Sequence, residues 1–353
     1  MSAPTIGKIM SQFISKVFKH FNNIIGLTNE NQIPLYQNTP MVYTYNEYDY
    51  CGKNSDSTAK GKSAVNNAYR KMFPTYNLEV TEGLYHSFKA GGILFIVTDT
   101  RTFLSKDQSS FFGNAQKQWI KNLISKVPTD PTTRGVVITL TQVWNYNATA
   151  YKDDLWRPDV LSTDPAFDAD KKEIGQFILN SGINYLDPTV ANYKPLLMVV
   201  GEQMVAFDDG LNNKEAGKFP VVVCGGINQS QSCKGGPYSH AYFTQANEQY
   251  CTINVITNTT IPASPKICFI INGSYRKDAK DEQTFVHNTC YPNQFSGFNR
   301  KCPIEAPEKL INFAITFGIN IFLFFVFFVM LYRVSTKAFN FNTLDSNQNV
   351  KES

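Results

Sequence analysis

"LYHSFKAGGILFIVTDT", residues 84–100, carries two apolar runs split by Gly91-Gly92. The first run alternates and the second is nearly continuous, which predicts a hairpin feeding a buried strand. A fully apolar strand needs cover on both faces, so the stretch asks for a sheet with layers on each side.

The same pattern recurs outward from it. "GNAQKQWIKNLISKV" (113–127) sets Trp119, Ile120, Leu123 and Ile124 on one helical face and stops at Pro128. "GVVITLTQVW" (135–144) is a buried strand, and "DADKKEIGQFILNSG" (168–182) a helix with Asp168 as N-cap and Gly182 as C-cap. "KPLLMVVGEQMVAFDDG" and "FPVVVCGGINQSQSCKGGPYSH" repeat the strand-then-loop theme. Upstream, residues 41–45 read as a strand and 63–73 as a helix ended by Pro74, while residues 6–27 form an amphipathic helix suited to a core or a membrane surface. Strands alternating with helices predict a layered α/β domain whose site lies beyond the strand ends.

The chain has 353 residues and a net charge of +4 from 33 basic and 29 acidic side chains, with no basic run and hence no case for nucleic acid. From Leu310 to Tyr332 no residue is charged. At ~1.5 Å rise per residue this segment is about 35 Å long, enough to cross a ~30 Å hydrocarbon core. Basic residues flank it on both sides and do not set its orientation. No apolar signal run is visible at the N-terminus, which with Met1 as the start would make the domain cytosolic and tail-anchored.

Cys224, Cys233, Cys251, Cys268, Cys290 and Cys302 precede the apolar segment, and Cys51 stands apart. An even cluster beside a membrane span predicts disulfides and a luminal or extracellular domain; six buried thiols is the cytosolic alternative. The absence of CxxC argues against a zinc site. Asn147, Asn228, Asn258 and Asn272 each open an Asn-x-Ser/Thr triplet, but the 33 Asn and 50 Ser plus Thr of the chain give about five by chance. Their number carries no weight.

"YTYNEYDYCGKNSDS" (43–57) gathers Asn46, Glu47 and Asp49, oxygen ligands suited to a hard cation, beside Tyr48. Lys234 with Gly235 and Gly236 suits a phosphate, or a tight turn. Asp99-Thr100-Arg101 either orients a ligand or forms a buried ion pair, and Asp208-Asp209-Gly210 reads as a turn. His86 reads as packed, His20 and His287 as surface residues, and His240 as the histidine nearest the site mouth.

Six pieces, in order, resemble the PhoD-like alkaline phosphatases, a branch of the calcineurin-type metallophosphoesterases. "PMVYTYNEYDYCGKNSDS" resembles a strand followed by Trp-Asp-Asp-His-Asp-Tyr-Gly and an Asn-Ser-Asp turn. "AVNNAYRKMFPTYNL", "GLYHSFKAGGILFIVTDTRTF" and "FFGNAQKQWIKNLI" follow, then "VVGEQMVAFDDG" at the place of Ser-Gly-Asp-x-His, and "FPVVVCGGINQSQSCKGGPYSH". The resemblance covers about residues 30–255. It implies a metallophosphatase-like sandwich, helices packed on sheets, and hydrolysis of a phosphate ester at two metal ions of the Ca, Fe or Zn class. The implied ligands are Asn46, Glu47, Asp49 and Glu202, and the implied phosphate contacts Lys234, Gly235, Gly236 and Arg101.

Tyr48 stands where the family has His, Gln203 or Met204 falls at the late His, and residues 1–29 hold nothing like the early Asp motif. A phenol with a pKa near ~10 is a poor proton donor at neutral pH. The residues therefore predict a phosphatase domain with impaired hydrolysis; the alternative is a non-catalytic receptor or interaction ectodomain. The expected organisation is a helical segment at 1–29, the domain at 30–303 with its Cys-rich end at 224–302, the span at 310–332 and a polar tail at 333–353.

Overall fold

A computed structural model describes residues 42–44, 47–52, 55–72, 78, 80–105, 110–145, 168–201, 205–210, 217–225, 238–241, 248–258, 266–278 and 281–290. The amphipathic segment 6–27 and the apolar segment 310–332 lie outside them. Among the described residues no helix is long and apolar enough to cross a membrane.

The hairpin at the Gly91-Gly92 pair forms as expected. β1 (His86–Ala90) runs antiparallel to β2 (Ile93–Val97), with Ala90 opposite Ile93. The two-residue loop needs positive φ at both positions, and Gly91 and Gly92 supply 57° and 82°. β2 then pairs in parallel with β3 (Gly135–Leu140), β3 with β4 (Leu196–Gly201), and β4 with β6 (Val221–Cys224). Two short strands, β5 (Ala206–Asp208) and β7 (His240–Ala241), close the far edge antiparallel, giving the order β1-β2-β3-β4-β6-β5-β7.

Strand alternation sorts the apolar side chains into two cores. Leu94, Ile96, Val136, Ile138, Leu196, Met198, Val200, Val221 and Val223 face the helices. These are α3 (Gly113–Lys126), which brings Ile120 and Ile124, and α4 (Asp168–Leu179), which brings Ile174 and Ile178. The opposite face, with Ile93, Val137, Leu197, Phe207 and Val222, packs on a second sheet. That sheet is an antiparallel meander of β8 (Glu248–Asn258), β9 (Lys266–Asp278) and β10 (Asp281–Asn288), and it offers Ile267, Phe269, Ile271 and Phe285. The layering is thus helices, mixed sheet, antiparallel sheet. This second sheet takes up residues 248–290 of the Cys-rich region, which the sequence reading did not resolve into strands.

Residues 42–44 depart from expectation. They form no strand, and Glu47–Tyr50 makes a four-residue helix, α1, ahead of α2 (Lys62–Met72). Tyr43 stacks on Tyr69 of α2 with ring centroids 5.8 Å apart, and the Tyr69 hydroxyl donates to the Tyr43 carbonyl. Thr44 Oγ1 donates to the Thr98 carbonyl at 3.2 Å. Side-chain anchoring over the end of β2 replaces ladder pairing here.

His287 is also a correction. It is buried rather than on the surface, with its ring centroid 4.3 Å from that of Phe207. Burial pushes its pKa down to about 4. His86 is packed as expected, and because the Leu84 carbonyl can only accept, Nδ1 carries the proton in the 2.8 Å bond between them.

Candidate active site at the strand ends

The carboxyl ends of the parallel strands β2, β3, β4 and β6 lie along one edge of the sheet, where α/β folds place their ligands. After β2, Asp99 is wholly buried and its carboxylate collects backbone donors: Arg101 and Thr102 N–H to Oδ1 at 3.0 and 2.9 Å, Leu84 N–H to Oδ2 at 2.8 Å. Gly83, at φ 91°, lets the chain approach, since a Cβ there would sit 3.2 Å from Asp99 Oδ2 and 2.5 Å from the Phe103 ring. Arg101 is buried, and its Nη1 donates to the Ser55 carbonyl at 3.5 Å, tying the turn after α1 to the end of β2. Thr100 and Thr141 join hydroxyls between the ends of β2 and β3.

α1 lies over this edge. Burial first, and then the Asp99 charge, pushes the Tyr50 phenol far above its ordinary pKa. Tyr43 is raised in the same way, by burial and then by Asp49. Asp49 and Arg101 are thereby brought to one end of the sheet, with Asp49 against the Tyr43 phenol. The backbones of Glu47 and Tyr48 lie in α1 and that of His240 in β7, opposite Phe207. Their side chains lie outside the described groups, and so do Asn46, Glu202, Lys234, Gly235 and Gly236.

A second polar cluster was missed in the sequence. Asn145, beyond β3, donates its amide to Asp208 Oδ2, and Ser239 Oγ donates to Asp208 Oδ1 at 3.3 Å. The Asp209 N–H donates to Ser239 Oγ at 3.0 Å. Burial pushes Asp208 up to about 6, and the neighbouring Asp209 charge adds to the rise. The turn reading of Asp208-Asp209-Gly210 holds for Gly210, at φ 83°, where a Cβ would meet the Phe219 carbonyl at 2.5 Å. The aspartates themselves are buried. An apolar run ending in Trp-Asn, and Phe-Asp-Asp after a strand, were the available signals.

This fold is similar to that of known phosphatases. The structure of PhoD matches 72% of this chain and 56% of its own, with a TM-score of 0.43 and 14% identity. Purple acid phosphatase PPD1 from yellow lupin (Lupinus luteus) seeds matches 72% of this chain and 42% of its own, with a TM-score of 0.43 and 12% identity. The chain therefore spans about half the length of these phosphatases. No protein-family model and no curated protein sequence matches it.

The resemblance seen in the sequence implies two metal ions held by Asn46, Glu47, Asp49 and Glu202. Among the described residues no three His, Cys, Asp or Glu side chains gather closely enough to hold a metal. Asp49 stands beside a phenol, Asp99 is engaged with backbone N–H groups, and Asp208 with an amide and a hydroxyl. The described side chains do not fit a two-metal centre.

Proposed function

We propose that this chain is a membrane-anchored, disulfide-bonded domain of phosphatase-like architecture in which phosphate-ester hydrolysis is impaired, and that it serves as an interaction ectodomain. The observation that carries this reading is the state of the strand-end carboxylates. Asp99 accepts three backbone N–H groups, which makes it a brace for the turn that follows β2. Asp208 is enclosed by Asn145 and Ser239, and burial favours its protonated form. Neither arrangement suits a carboxylate that must share its lone pairs with a cation. Tyr48 in place of an imidazole supports the same conclusion, because general acid catalysis is typically worth about 10²–10⁴-fold and needs a group that titrates near the working pH.

The cysteines support a luminal or extracellular side for the domain. Cys224 bonds to Cys251 and Cys268 to Cys290, each pair with Cα atoms 5.5 Å apart, and such bonds persist in oxidising compartments. The uncharged segment 310–332 supplies the anchor in this reading.

The rival reading, a working phosphatase, keeps Glu47, Asp49 and Glu202 as an all-oxygen metal set. The domain with its anchor should be assayed on phosphomonoesters and phosphodiesters with Ca²⁺, Fe or Zn²⁺, next to Glu47→Ala. Background-level turnover in both supports the proposal. Metal-dependent turnover that disappears in Glu47→Ala overturns it in favour of the enzyme.

A further inference from the structure

The outer face of the β8–β10 sheet, away from the core, has Asn272 at its centre. Asn272 lies on the middle strand, opposite Thr252 on β8 and Val286 on β10. Both partners are exposed, Val286 to 49%, and so are the diagonal neighbours Tyr250, Asn254 and Thr284. Side-chain alternation fixes this orientation. Gly273 points inward, where a Cβ would come within 2.1 Å of the Phe285 ring and 2.7 Å of Val205. A one-residue slip would drive Asn272 into that contact, so the strand cannot turn the asparagine inward.

Asn272-Gly273-Ser274 is one of the Asn-x-Ser/Thr triplets whose number meant nothing in the sequence. Its position is more informative than that count. From the outward setting of this half-buried amide among exposed neighbours, and resting on the reading that the domain lies in an oxidising secretory compartment, we infer that Asn272 is a site of N-linked glycosylation. The donor is a lipid-pyrophosphate-linked oligosaccharide. Asn272 Nδ2 forms a bond to the anomeric carbon of the first sugar, the bond from that carbon to the pyrophosphate oxygen breaks, and the lipid pyrophosphate leaves. The amide proton is lost to a base of the transferase. Transfer to the extended chain precedes β9 pairing, and the folded sheet then has to tolerate the product.

The folded sheet meets that requirement. Asn272 Nδ2 donates to Thr252 Oγ1 at 3.2 Å, and an amide nitrogen carries two hydrogens. Glycosylation replaces one hydrogen and leaves the other for Thr252, so the sugar projects from the face with no lost hydrogen bond. A glycan is bulky and solubilising. At the centre of this face it would cover Tyr250 and Val286, which are otherwise exposed apolar groups.

The test is to express the full chain in eukaryotic secretory cells, isolate it from membranes without reduction, and analyse it by mass spectrometry. The segment between Lys266 and Arg276 holds both Asn272 and Cys268, so one peptide reports the glycan and the bond to Cys290. The expected result is hexosamine on Asn272 in most copies, and loss of one glycan's mobility shift in Asn272→Gln. An unmodified Asn272 overturns the inference, including the case in which other triplets carry the sugar. If Cys268 is then joined to Cys290, the glycan site alone falls; if both are free thiols, the compartment reading falls with it.

Discussion

Gln116 of α3 and Asp99 at the end of β2 hold each other through the backbone. The Asp99 N–H donates to Gln116 Oε1 at 2.7 Å, and Gln116 Nε2 donates to the Asp99 carbonyl at 2.7 Å and to the Phe112 carbonyl at 3.1 Å. One fully buried amide thereby satisfies main-chain groups where the ladder of β2 runs out and positions the loop that carries Arg101.

Truncation of this amide should be costly. Gln116→Ala leaves a buried N–H and a buried carbonyl without their partner, at about 1–3 kcal/mol each, so we expect a loss of about 2–6 kcal/mol. Gln116→Glu keeps the acceptor for Asp99 N–H but turns a carboxylate oxygen on two carbonyls and buries a charge beside Asp99, so it should cost at least as much as the alanine variant. Chemical denaturation of the three proteins checks this; an unchanged midpoint for Gln116→Ala would refute the clamp.

Asp208 and His287 should give opposite dependences of stability on pH. The folded pKa of Asp208 is raised to about 6, so the folded state holds its proton more tightly than the unfolded chain. Its contribution is greatest below about pH 4 and is lost as pH rises to about 6. His287 is lowered to about 4 in the fold, so the unfolded chain takes up the proton first. Its contribution is present above about pH 6.5 and is lost as pH falls toward 4. At 1.36 kcal/mol per pKa unit each is worth about 3 kcal/mol, and the two largely cancel between pH 4 and 6. Wild-type stability should therefore be nearly flat across that window as far as these two groups set it. Asp208→Asn should make stability rise with pH there, and His287→Phe should make it fall. Urea melts at half-unit steps of pH would show both slopes.

These sites also show what the sequence could reveal. The Gly91-Gly92 turn, the buried parallel strands, helices α2, α3 and α4 and the packed His86 were all legible, because each rests on local pattern or backbone chemistry. The meander β8–β10 was not. Its middle strand interrupts an apolar run with Asn272-Gly273-Ser274, and its outer face mixes polar residues with exposed Tyr250, Ile256 and Val286, so the alternation is blurred. His287 was misjudged on polarity, although Phe285 two residues earlier shares its face and could have indicated the burial. Around the candidate site, the residue types of Asp49 and Arg101 were legible as candidates. The clamp by Gln116 and the enclosure of Asp208 were not, since hydrogen bonds between residues 17 and 63 apart in sequence depend on topology.

The disulfides tie β8 to the end of β6 and the start of β9 to the turn after β10. Cys224–Cys251 closes a separation of 27 residues and Cys268–Cys290 one of 22. Loops of this length give each bond a stabilisation of about 3–4 kcal/mol in the chain-entropy model. Removing either pair by Cys→Ala double substitution should lower the denaturation midpoint, and reducing agent should do so in wild type but much less in a variant lacking both pairs. Mapping of the non-reduced protein should find Cys224 with Cys251 and Cys268 with Cys290; another pairing would contradict the fold of the second sheet.

The junction of α3 and α4 allows a sharper test of buried charge. Asp170 accepts from Phe111 and Phe112 N–H at 2.7 and 3.3 Å and from Ser110 Oγ at 3.0 Å, which caps the start of α3. Its other oxygen takes the Lys117 ammonium at 2.7 Å, and Glu173 meets the same ammonium at 2.9 Å. Burial works against the Lys117 charge, but the hydrogen bonds to Asp170 and Glu173 outweigh it and its pKa goes up. Asp170→Ala removes the acceptor of three donors and leaves the Lys117 ammonium with Glu173 alone, so it should cost about 3–5 kcal/mol. Lys117→Met removes the cation and leaves Asp170 with its three backbone and hydroxyl donors, so it should cost much less. In the double variant the cation and its missing partner disappear together, and the loss should be smaller than the sum of the two single losses. Thermal or urea unfolding of the four proteins measures this coupling. Strict additivity would mean that Lys117 and Asp170 do not depend on each other, and that the cap alone accounts for the cost.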